Sequence, residues 1–210
     1  AELLWAEAAC GPVRLSLGIP DLVAQGHLVQ GRVSWIRHNA PVSTEHRRWS
    51  PTAYKELVSE CAQRNKALSE AARRHVSDGK RVLVDCWRVG HARRLVASLR
   101  ALRVNAALMV GSTPHATRWK ALDDLVSGKI DVVVATLLGE GVDIPALDVV
   151  INAEGGKESA SAVQRLRNLT KSQDKEEAII VDVVDHHHAR LAKWTAERRK
   201  MYRGLGFKGA

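Results

Sequence analysis

The 210-residue sequence predicts an α/β fold, a parallel sheet with helices on both faces. Three observations carry this expectation. Ile130 to Ala135 is a continuous, mostly β-branched apolar run, the pattern of a strand covered on both sides. From Arg81 onward, short apolar runs alternate with helical patterns, which implies βαβ units with right-handed crossovers. The composition, 45% hydrophobic and 26% charged, is that of a soluble globular domain with one core, and no apolar run is long enough to span a bilayer.

Residues 1–31 read as a lead-in, with a break at Gly11-Pro12 and a short helix over Ile19 to Gln25 stopped by Gly26. Arg32 to Arg37 is a strand. Residues 40–50 are a polar loop. Its His46-Arg47-Arg48 cluster beside Trp49 either touches a phosphate backbone and stacks on a base, or is a solvated loop with one anchoring aromatic. Ser50 as N-cap and Pro51 at the first helical position open a helix that runs to Ser77 and ends at Asp78-Gly79. Leu57, Cys61, Leu68, Ala71 and Ala72 share roughly one face of it, and Arg64 is open between a surface residue and, with Asn65, part of a family pattern.

The rhythm then runs strand Arg81–Asp85, helix His91–Leu102, strand Val104–Val110 and helix Pro114–Val126. Ser112 or Thr113 caps that last helix and Gly128 closes it. Strands follow at Ile130–Ala135 and Val149–Ile151, then a helix over Ser159–Leu169 and a strand over Ala178–Val184. The tail, His186 to Phe207, is a basic helix packing back through Leu191, Trp194, Arg198, Met201 and Tyr202, with Arg198, Arg199 and Lys200 extending a nucleic-acid path. Adjacent residues on a helix point apart, so three successive histidines there cannot hold one ion. The expected division is 1–50 lead-in, 51–185 main domain and 186–210 basic helix.

The formal net charge of +9 favours a polyanionic partner, nucleic acid first, over a generally basic surface without one. Three scattered cysteines without CxxC spacing predict no disulfide framework or zinc site and a reducing, cytoplasmic setting. Ala1 in place of Met points to a processed chain or a piece of a longer one.

The loop after Thr136 is the chemical centre. Gly139, Glu140, Gly141 and Asp143 lie where ligands bind in open α/β sheets, outside a strand's carboxyl end. Two glycines in three residues permit close backbone approach to a ligand or another chain. Spacing alone leaves open a βα loop of some other α/β protein.

Ala135-Thr136, Glu140-Gly141, Asp143, Pro145, Leu147-Asp148 and Val150-Ile151 together resemble motif V of superfamily 2 helicases, in the DEAH-like, viral and type III restriction-subunit branch. Residues 82–99 resemble motif IV of that family, and residues 104–136 its following stretch. The likeness runs from about residue 11 to the end. It implies a second RecA-like domain, cooperating with a first in cis or in trans, with ATP and Mg²⁺ bound mainly by that first domain. It implies Gly139, Gly141, Asp143 and Lys171 at the nucleotide, and Gly111, Ser112 and Thr136 at nucleic-acid phosphates, where such groups grip without reading sequence. The stretch Ser161 to Lys171 stands where motif VI supplies an arginine finger. It lacks the motif's glycine and has Thr170 in place of a second arginine. Arg167 is the resulting choice, with Arg165 and Lys171 as substitutes.

The sequence contains no GxxxxGK[ST] phosphate loop and no DEAD-type Mg²⁺ box, so it implies no useful ATP hydrolysis by this chain alone. The expected function is the second motor domain of a DNA helicase or translocase acting on single-stranded or forked DNA, in a bacterial cell or virus-infected host, with no membrane partner. Two readings compete: a non-catalytic nucleic-acid-binding module that kept the fold, and a glycosyltransferase-like nucleotide-sugar domain, which needs a glutamate where this chain has Asp148.

Overall fold

The apolar runs become strands of one sheet. The computed structural model describes residues 17–46, 48–136, 144–156, 170–172 and 175–210. Among them are β1 (Gln30–Ile36), β2 (Val82–Asp85), β3 (Ala106–Met109), β4 (Val132–Ala135), β5 (Val149–Asn152) and β6 (Glu177–Val183). All pairings are parallel, in the order β1-β6-β5-β2-β4-β3. The helices are α1 (Ile19–Ala24), α2 (Pro51–Tyr54), α3 (Ala62–Ser77), α4 (Val89–Ala101), α5 (His115–Val126) and α6 (Ala189–Gly204). No described helix is long and apolar enough to cross a membrane.

The period-2 alternation of strand side chains builds two cores. Val82, Val84, Val132, Val134 and Ile151 meet Leu68 of α3 and Leu95 and Leu99 of α4 on one face. Leu83, Val133, Val150 and Ile180 meet Leu122 and Leu125 of α5 and Tyr202 of α6 on the other. The expected α/β architecture with helices on both faces is therefore present. β1, inside the stretch expected as a lead-in, pairs with β6 along its full length.

Four local expectations are corrected. Residues 51–77 are not one helix. Ser50 does cap, its Oγ accepting from Ala53 N at 3.0 Å. After α2, however, a π-helical turn spans Lys55–Ser59, and Cys61 is extended before α3 begins. The Asn65 side-chain amide donates to Ser59 O (3.0 Å), taking the carbonyl a continuous helix would use. At α5, Thr113 does not cap the helix; its Oγ1 accepts from Val110 N (3.0 Å) and closes the preceding turn. The three histidines precede α6, and His188 is its N-cap, with Nδ1 accepting from Arg190 N at 3.0 Å. Arg64, for which a surface place was one reading, is fully buried, and Arg198 is fully buried on the packing face where it was expected, so it does not extend a nucleic-acid path. The helix expected over 159–169 lies outside the described residues.

His91 of α4 is buried, with Nε2 against Asn65 Oδ1 at 2.8 Å. Burial pushes its pKa down to about 3, and the charges of Arg64 and Arg94 act in the same direction. The unfolded chain takes up this proton near pH 6.5, whereas the folded chain resists it to about 3. Stability from His91 is thus complete above pH 6.5 and lost as pH falls below it. We predict that urea unfolding gives a free energy lower by about 2 kcal/mol at pH 5 than at pH 7 from this group. His91→Gln will remove that part of the slope.

Candidate nucleic-acid and nucleotide interface

Because every described strand is parallel, all six carboxyl ends open on one edge of the sheet. β3 and β4 are neighbours, with Met109 opposite Ala135. That register brings the turn Gly111-Ser112 beside Thr136, whose backbone N–H donates to Met109 O at 3.0 Å. Gly111 and Ser112 are exposed, and Thr136 is buried. Arg118 of α5 stiffens the turn, its Nε donating to Thr113 O (2.8 Å) and its Nη2 to Gly111 O. The three residues expected at phosphates therefore stand side by side on the carboxyl edge.

β2, between β4 and β5, ends beside them and leads into Trp87 and Arg88. Trp87 is 63% exposed, and the Arg88 guanidinium lies 5.7 Å from its ring and 5.2 Å from that of Tyr54. Sequence reasoning did not single out this pair, although a tryptophan beside an arginine just past a strand end was visible.

The segment after β5 is held by two buried arginines. Arg64 donates from Nε to Asp185 Oδ1 (2.8 Å), from Nη2 to Asp185 Oδ2 (3.2 Å) and from Nη1 to Ala153 O (2.7 Å). Arg198 donates from Nε to Asp182 Oδ2 (2.9 Å), from Nη1 to Gly156 O (2.8 Å) and from Nη2 to Val183 O (3.1 Å). Tyr54 OH donates to Glu154 O at 3.0 Å. Tyr202 OH (3.0 Å) and Asn152 Nδ2 (3.1 Å) also donate to Asp182 Oδ2. Ala153, Glu154 and Gly156 are thus each fixed by a carbonyl, immediately before the stretch that carries Arg167.

Two cations and two carboxylates share this dry space. Burial would raise the Asp185 pKa, but the Arg64 charge, hydrogen bonds from His38 and Arg64, and the Arg198 charge together hold it well below the usual carboxylate range. His38 Nδ1 accepts from Ala40 N (3.2 Å), so its Nε2 carries the proton facing Asp185 Oδ1 at 3.1 Å. His38, Asp185 and His187 bring three ligand-type atoms within 4.8 Å of one another. Arg64 occupies both Asp185 oxygens, and Arg198 stands 3.9 Å away. The cluster is a hydrogen-bond node and does not suit a cation.

Lys171, expected at the nucleotide, stands apart from the other candidate residues that are described. Thr170 bridges Leu28, and Lys171 Nζ lies close to Gly26, both just ahead of β1. Lys171 is therefore at the amino end of the sheet, opposite Gly111, Ser112 and Thr136, and its charge does not join theirs. Gly139, Gly141, Asp143, Arg165 and Arg167 lie outside the described residues.

The model of the helicase conserved C-terminal domain matches residues 63–167, and the chain belongs to that family. Helicase 22 of Sulfolobus islandicus filamentous virus (isolate Iceland/Hveragerdi), a protein proposed to be a helicase, is 29% identical over 147 residues, 69% of this chain and 23% of that protein. The ATP-dependent rRNA helicase RRP3 of Candida albicans is 33% identical over 89 residues, 42% of this chain and 17% of that protein. The chain thus spans a minor part of the length of either relative. Among solved structures, UvsW of T4 superposes with a TM-score of 0.67 at 16% identity, over 85% of this chain and 40% of that one. The shared fold is the RecA-like α/β fold of helicase C-terminal domains.

Gly155 has φ +62°, and a Cβ there would stand 2.6 Å from Arg64 Nη2 and 2.8 Å from Asp185 Oδ2. We predict that Gly155→Ala lowers stability by at least about 1–3 kcal/mol through backbone strain and the displaced ion pair. Arg64→Met, which leaves Asp185 with less compensation, will cost about 3–5 kcal/mol. Arg64→Lys will rescue little of that, because one ammonium cannot replace the fork. Urea unfolding at pH 7 followed by circular dichroism measures all three.

Proposed function

We propose that this chain is the second motor domain of an ATP-dependent superfamily 2 DNA helicase or translocase. The carrying observation is the alignment of Gly111-Ser112 and Thr136 on one sheet edge, which also carries the hydrogen-bonded Ala153–Gly156 segment that precedes Arg167 in the chain. In this reading Gly111, Ser112 and Thr136 grip backbone phosphates, and exposed Trp87 offers a stacking face beside them. Gly139, Gly141 and Asp143 approach the nucleotide, and Arg167 supplies charge to the γ-phosphate during hydrolysis. A first RecA-like domain, in cis or in trans, holds ATP and Mg²⁺, so this chain alone turns over no ATP. Residues 1–50 act as the interdomain segment, 51–185 as the motor half and 186–210 as a basic closing helix, in a cytoplasmic protein.

The departures in residues 161–171 from the family's finger motif favour one second reading, a nucleic-acid-binding module without catalysis. Mixing the chain with a first domain separates the two. We predict ATP turnover stimulated by single-stranded or forked DNA, falling by about 10³-fold or more in Arg167→Ala. Nucleic-acid binding without turnover by the unsubstituted chain would establish the second reading. RRP3 is named as an rRNA helicase, so RNA belongs in the same assay. Stronger stimulation by RNA than by DNA would overturn the DNA preference.

A further inference from the structure

Away from the β3–β4 turn, an open groove of about 720 Å³ runs between the loop before α2 and the first turns of α6. Its volume lies within the roughly 300–1,000 Å³ of small-molecule sites. Trp49 and Trp194 form its floor, ring centroids 4.9 Å apart and planes at 80°, so the two rings make a corner rather than a closed stack. Both are half-buried. Arg48, Arg190 and Lys193 line the groove and are exposed, and the Arg190 guanidinium lies 6.0 Å from the Trp194 ring centre. The corner is braced in advance. His188 donates from Nε2 to His46 O (2.9 Å), tying the loop to α6, and packs 5.2 Å from Trp49.

One further atom points to what the groove receives. Glu197 lines it, and Glu197 Oε2 is buried without a hydrogen-bond partner among the described residues. A buried acceptor left alone is costly, so a donor belongs there. Three cations at the rim, an aromatic corner and one buried acceptor describe a unit that carries phosphate, a flat π face and an N–H group.

We infer that this groove is a second nucleic-acid site, taking an unpaired base of a single-stranded segment. The base stacks in the Trp49–Trp194 corner and donates an amino or imino N–H to Glu197. The flanking phosphates meet Arg48, Arg190 and Lys193. The inference rests on the helicase reading for the presence of a strand, but the groove is separate from the Gly111, Ser112 and Thr136 contacts.

The test titrates the full chain with a 12-residue single-stranded oligonucleotide, with its abasic counterpart and with free AMP, following tryptophan fluorescence and anisotropy. The chain should bind the base-bearing strand roughly fivefold or more tightly than the abasic one, with quenching. Trp194→Ala should erase that ratio. Because Trp194 also packs beside Leu191 and Tyr54, the surface double variant Arg190→Ala/Lys193→Ala serves as the fold-neutral arm. It should lower the slope of log affinity against log salt by roughly 1.4, about 0.7 for each phosphate that the variant no longer neutralises. Glu197→Gln should alter the ranking of cytosine, adenine and thymine strands. Equal binding of base-bearing and abasic strands, or an unchanged salt slope in the double variant, overturns the inference while leaving ATP turnover with a first domain untouched. Quenching by AMP but not by the strand overturns it in favour of a free nucleotide.

Discussion

Two arginines and two aspartates, all shut away from water, hold the carboxyl edge of this sheet together. Removing four charges from solvent is expensive, several kcal/mol per ion even after relaxation. Apolar residues of similar volume would fill the same space at less cost. What they would not do is hold backbone. Arg64 and Arg198 each divide their donors between a carboxylate and main-chain carbonyls, and so fix Ala153, Gly156 and Val183 while neutralising Asp185 and Asp182. A planar fork with donors in set directions suits this task, and an ammonium does not. The arrangement trades stability for position, since it fixes main chain that apolar packing would leave unheld.

Most of the fold was legible because its strands are buried on both faces. Val132, Val133 and Val134 can only be read as the interior of a covered sheet, and the helices between the runs set its parallel sense. Local hydrogen bonding that no periodicity reveals was hidden. The turn at Lys55–Ser59 and the break at Cys61 follow from Asn65 capturing the Ser59 carbonyl, a contact between a side chain and one main-chain atom. Likewise the three histidines looked helical by continuity, yet His188 ends the loop by capping the helix it was expected to lie in.

The placement of the candidate residues was legible where it depends on strand ends and obscure where it depends on burial. Gly111, Ser112 and Thr136, singled out by the family resemblance, stand together because β3 and β4 stop side by side. Arg64 did not, because a charged residue in a helical pattern reads as solvated unless its partner is known. The partner aspartates lie far along the chain, although Asp182, set in the apolar run Ile179-Ile180-Val181, was a visible irregularity. Lys171 shows the converse difficulty. Nearness in sequence to a motif does not say which end of a strand a residue occupies, and its neighbours Gly26 and Leu28 place it at the far end.

The pairing of β1 with β6 joins the first described strand to the last, with Gln30 opposite Glu177. A polypeptide emerging from the ribosome therefore carries β1 without its lateral neighbour until β6 has been made. Closing so long a loop is entropically slow, and an unpaired apolar strand is a template for mispairing meanwhile. Sheet formation should start among β2 to β6, whose partners are nearer in sequence, and finish with β1 docking onto β6. Loss of β6 would leave β1 without its lateral neighbour as well, so these two strands, distant in sequence, form or fail together.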